Sequence, residues 1–170
     1  ILGVKNIKDI QIIFFDTPGS NFLKTSNIQQ KKMKTHIWQA IDNVDLLGYL
    51  IDVSKYNYGE ILIDLKKISE TNKSIIIIFN KIDLVENKKI LPHIKELKNI
   101  PLVKDFFLVS AKYDNGINDF LKYLIGQSTQ SKWLYNENEI SDKDDIYISN
   151  ECTRNSILEY LHKEIPYNIT

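Results

Sequence analysis

Cysteine is nearly missing from this sequence, with one in 170 residues. That residue, Cys152, allows no intrachain disulfide and no cysteine zinc cluster, so no disulfide partner is expected and a reducing compartment fits. An excess of charge is missing as well. Basic and acidic side chains balance at 22 each, so no global field draws the chain onto nucleic acid or membrane, although a local basic face stays open. Long hydrophobic runs are also absent: the longest, such as IIIIF at 75–79, fall far short of a bilayer's width. The opening ILGVKNIKDI has neither an initiator methionine nor a signal or transit pattern, and it reads as the inside of a strand. No internal repeat occurs. Heavy use of Lys, Asn and Ile (KNI, ENKKI, NENEI) reads as genomic drift. A chain of this length holds one good core, with room for a domain and part of another.

What is present is a recurring strand-and-helix rhythm. Apolar runs of strand length stand at 12-IIFF-15, 46-LLGYLIDV-53, 75-IIIIF-79 and 106-FFLVS-110. They are continuous rather than alternating, which predicts parallel strands covered on both faces. Helical spacing lies between them: residues 28–42 carry Met33, Ile37, Trp38 and Ile41 on one stripe, and 59–70, 88–98 and 117–125 follow. This order predicts a doubly wound α/β domain over 1–126. Residues 127–142 read as a polar linker whose Trp133 and Tyr135 dock on a neighbour. Residues 143–170 begin a further domain, with a helix over about 143–164 that Pro166 stops.

Three short motifs close three of the strands. In 16-DTPG-19, Gly19 allows backbone to approach a terminal phosphate and offer an amide, and Asp16 suits a water of a phosphate-bound Mg2+. Taken alone, Asp16, Thr17, Pro18 and Gly19 are equally plain turn chemistry. In 80-NKID-83, Asp83 can accept the ring N–H and the exocyclic amine of guanine, a donor pair that adenine lacks. Asn80 can reach the N7 side and tie loops together, and Lys81 can lay its aliphatic stem over the base plane. In 110-SAK-112 the Ala111 amide can meet guanine O6, while Ser110 shapes the loop that leads to Lys112. A phosphate-sensing turn followed by two base-reading loops along one sheet edge is where open α/β sheets bind ligands.

Together these motifs resemble the third, fourth and fifth nucleotide-binding motifs of translation-factor-like GTPases. The stretch 133-WLYNENEISD-142 with 151-ECTRNSILEYLHKEIPY-167 is similar to the junction and first KH-domain helix of the Era family. The resemblance implies a P-loop GTPase-type, mostly parallel sheet followed by the start of a KH-like α+β RNA-binding domain at 143–170. It also implies GTP/GDP and Mg2+ as cofactors, and hydrolysis of GTP. The implied partners are small-subunit rRNA and the small ribosomal subunit, whose assembly the family assists. A cytoplasmic location with peripheral inner-membrane association follows, the mitochondrial matrix being the alternative.

The chain departs from that family in three places. No G-x-x-x-x-G-K-[ST] occurs, so the lysine and backbone nest for the β- and γ-phosphates are not among these residues, and the sheet is expected without its central P-loop strand. No GXXG occurs for clamping an RNA backbone. Ser20 follows Gly19 where a water-orienting side chain would act, and serine is too short, so no catalytic base is named. Asp42, Asp45 and Asp52 read as ordinary helix-end or strand-end acids. Two rivals stand beside the Era reading: an inactive truncated GTPase remnant, and the G-domain part of a related tRNA-modification or ribosome-assembly GTPase.

Overall fold

A computed structural model describes residues 2–17, 41 and 44–160. The chain divides into two compact units, residues 1–17 with 130–170 and residues 18–129. The expected 28–42 helix falls almost wholly outside the described residues, as do Pro18, Gly19 and Ser20, the end of the 143–164 helix, and Pro166.

The second unit carries the sheet that the apolar runs predict. Strands β3 (Leu47–Asp52), β4 (Ile75–Asn80) and β5 (Val103–Leu108) are parallel, with β4 in the middle. The connecting helices are α1 (Tyr58–Ser69) and α2 (Asn87–Leu97), and α3 (Ile117–Gln127) follows β5. The IIIIF run is continuous because β4 is covered twice. Ile75, Ile77 and Phe79 pack with Ile61 and Leu65 of α1 and Ile90 and Leu97 of α2. Ile76 and Ile78 face the other way, onto Val109 and the Phe107, Phe120 and Tyr123 rings. Successive side chains of a strand alternate between faces, so a five-residue apolar run supplies two cores.

Strand β5 starts earlier than the sequence suggests, taking in the polar pair Lys104 and Asp105. Both side chains are exposed, because β5 is an outer strand of the described sheet. Helix α1 starts at a clear cap, where the Asn57 side chain accepts from the Glu60 amide at 3.3 Å.

The first unit is built on a hairpin. Strands β1 (Leu2–Ile7) and β2 (Ile10–Phe15) pair antiparallel in the register Leu2↔Phe15 to Ile7↔Ile10. Residues 133–142 lie along this hairpin. Gln11 Oε1 accepts the Leu134 and Tyr135 amides at 3.0 Å each, the Val4 amide donates to Ile140 O at 2.9 Å, and Trp133 Nε1 donates to Asp9 O at 3.1 Å. Helix α4 (Asp145–Tyr160) follows. No helix among the described residues is long and apolar enough to cross a membrane.

Candidate functional site

At the carboxyl end of β4 the chain turns sharply into a short 3-10 segment, Ile82–Leu84. Lys81 makes the turn in the left-handed region, at φ 64°. For a non-glycine residue this backbone costs free energy, so the surroundings must hold it. Asn80 does so: its Oδ1 accepts the Lys81 amide at 2.8 Å and the Ala111 amide at 3.1 Å. One carboxamide oxygen thereby ties the NKID loop to the SAK loop.

Backbone bonds close the same seam, with the Val109 amide donating to Phe79 O at 2.8 Å and the Ile82 amide to Val109 O at 3.3 Å. Ser110, only 1% exposed, donates its hydroxyl to Asp83 Oδ1 in a short hydrogen bond. Its backbone exchanges two hydrogen bonds with Asn115, at 2.9 and 3.1 Å, folding the SAK loop back on itself. The loop then passes through Gly116 at φ 75°, where an added Cβ would stand 2.1 Å from Leu108 O. Only glycine fits there.

Asn80, Lys81, Asp83, Ser110, Ala111 and Lys112 are thus brought to one edge of the second unit. Asp83 is anchored through one oxygen, while Oδ2 makes no hydrogen bond among the described residues and is open to a ligand. A carboxylate held this way offers two adjacent acceptor oxygens, each with spare lone pairs, which suits a flat ligand with two neighbouring N–H donors. The Ala111 amide, expected to face a base oxygen, is occupied by Asn80 in the structure, so a ligand oxygen must share or displace that bond. Lys112 turns to its neighbour, its Nζ lying 5.2 Å from the centre of the Tyr113 ring.

Asp16 and Thr17 follow β2 in the first unit, while Pro18 and Gly19 lie outside the described residues. Among the described residues no group of three His, Cys, Asp or Glu side chains could hold a metal ion.

One residue that the sequence reading took for an ordinary strand-end acid is Asp52. It sits beside Asn80 in the parallel register, and its Oδ2 accepts Lys81 Nζ at 2.7 Å. Its other oxygen accepts the Ser54 amide at 3.1 Å and the Ser54 hydroxyl at 2.6 Å. The Lys81 hydrogen bond, followed by that of Ser54, holds its pKa below the ordinary 3.8. The signal emerges only with the register, which lays the LIDV and IIFN strand ends side by side and puts an acid next to the NKID lysine.

Comparison with known proteins places this edge in context. A family model described as a 50S ribosome-binding GTPase matches residues 1–81. The GTPase Era of Ehrlichia canis is 31% identical over 168 residues, covering 99% of this chain and 56% of that protein. A crystal structure of Era with MgGDPNP and a segment of 16S ribosomal RNA aligns with a TM-score of 0.74 at 30% identity, over 84% of this chain and 49% of the other. Aquifex aeolicus Era bound to GDP and AlF4− aligns with the same TM-score at 27% identity, over 90% and 52%. The chain spans about half the length of the relatives that it matches. Its α/β fold resembles the Era-type G-domain core followed by an extension, and nearly the whole chain is similar in sequence to part of Era GTPases.

Proposed function

We propose that this chain is the guanine-recognising part of an Era-type GTPase. The edge formed by Asn80–Asp83 and Ser110–Lys112 takes the guanine base of GTP or GDP. The observation that carries this reading is the Ser110–Asp83 hydrogen bond together with the Asn80 bridge to Ala111, which holds a carboxylate and two loops ready at the carboxyl end of β4 and β5. Asp16, Thr17, Pro18 and Gly19 sense the terminal phosphate, with Asp16 meeting Mg2+ through water.

In the complete protein, GTP is hydrolysed to GDP and phosphate. Residues from 143 onward open the KH-type domain that grips small-subunit rRNA during assembly of a 30S-type subunit. The relative crystallised with MgGDPNP and 16S ribosomal RNA supports this partner and these cofactors. A cytoplasmic site of action, peripheral to the inner membrane, accompanies the reading. A second reading has one observation in its favour: no G-x-x-x-x-G-K-[ST] occurs in the 170 residues. On that reading these residues bind guanine and hydrolyse nothing by themselves.

Base exchange tests the proposal. Guanine presents N–H donors at N1 and the 2-amino group, whereas xanthine presents an oxygen at position 2. Asp83→Asn supplies a donor where the carboxylate had only acceptors. Its preference, measured by titration with guanosine and xanthosine, should move from guanosine to xanthosine by at least tenfold, as when a buried polar group is left unpaired. An unchanged preference would remove Asp83 from the site.

A further inference from the structure

The Asp52–Lys81 ion pair is not part of the base-reading geometry, yet it spans the ends of two neighbouring strands at that geometry's edge. The two side chains are 25% and 50% exposed. Asp52 is itself fixed, because Ser54 occupies its other oxygen with both its amide and its hydroxyl. Lys81 leaves the backbone from a left-handed residue two positions before Asp83. Its ammonium is carried sideways to β3, so its aliphatic stem is stretched between the ends of β4 and β3.

A free lysine has rotamer entropy that a ligand must overcome before using the stem as a surface. Here the stem is tethered before any ligand arrives. From this geometry we infer that Asp52 is a positioning residue for the base site, holding the Lys81 stem as a preformed floor against which a base gripped by Asp83 lies flat. The inference rests on the guanine-site reading above and adds a residue to it. The low Asp52 pKa is consistent with a tether that stays charged at neutral pH.

This role predicts a pattern that base reading does not share. The tether acts on the face of the base, which guanine and xanthine have in common, and not on its edge. Asp52→Asn should therefore weaken guanosine and xanthosine equally, by about two- to fivefold, the range of a half-exposed ion pair. Asp52→Glu, which keeps the charge, should recover most of the loss. Lys81→Met keeps the stem and removes the ammonium, so adding Asp52→Asn to it should change nothing further.

The test is titration of the full chain and these four variants with guanosine and with xanthosine, beside Asp83→Asn. Equal losses, rescue by Asp52→Glu and no added effect on Lys81→Met are the expected result. Wild-type affinity in Asp52→Asn, or an undiminished further loss on the Lys81→Met background, would overturn the positioning role while leaving the guanine site standing. Should Asp52→Asn lose its fold, as judged by circular dichroism, the Asp52→Glu and Lys81→Met affinities decide: a loss in Lys81→Met with near-wild-type Asp52→Glu supports the tether, and no loss in Lys81→Met overturns it. If wild type does not bind guanosine, or Asp83→Asn keeps its preference, the guanine reading falls and the inference falls with it.

Discussion

Gly116 shows how much of the site is decided at single residues. Its positive φ and the closeness of Leu108 O leave no room for a side chain, and the loop it closes is the one that presents Ser110 and Ala111. Gly116→Ala adds left-handed strain to a steric overlap with backbone, so urea unfolding should show a loss of about 3 kcal/mol or more. Weaker guanosine binding should accompany it even where the protein stays folded. Ser110 and Asp83 were legible as members of two strand-end motifs from residue type and order, and the structure joins them by a hydrogen bond. Asp52 was not legible in that way, because a strand-end acid carries no mark of its own; it acquires a role only when the register sets Asp52 beside Asn80. The Gly116 requirement was equally hidden, since it depends on where the Leu108 carbonyl points.

At the scale of elements, β4 is the beam on which the site rests. Its residues Ile75 to Phe79 are buried on both faces, and its last residue is Asn80. Ile77 is fully buried, whereas Leu50 on the adjacent strand is 62% exposed. Ile77→Ala should cost about 2–5 kcal/mol and Leu50→Ala about 0.5 or less, measured from denaturation midpoints. The continuous apolar runs at 46–53, 75–79 and 106–110 marked the three parallel strands, whereas 12-IIFF-15, expected to be parallel and covered on both faces, pairs antiparallel with β1 and leaves Phe14 and Phe15 exposed. Strand β5 was misjudged at its start because an outer strand tolerates Lys104 and Asp105, so hydrophobicity understates its length. Residues 127–142 read as a polar linker whose Trp133 and Tyr135 dock on a neighbour, and Trp133 does donate to Asp9 O. Their hydrogen bonds to Val4, Asp9 and Gln11 come from backbone groups and from one glutamine, which no hydropathy pattern records.

Across the described residues, packing and the proposed base-reading loops are concentrated in the second unit. Apart from Leu2, the buried hydrophobic residues among those described belong to it, and so do both base-reading loops. With 22 charges of each sign the chain has no net charge to attract a polyanion, so the proposed nucleotide binding rests on local fit. The most direct measurement of that claim is a nitrogen-15 NMR titration of the full chain with guanosine. The account predicts amide shifts gathered at residues 80–83 and 110–112, with adenosine producing none there. Shifts scattered away from these loops, or equal responses to the two nucleosides, would contradict it.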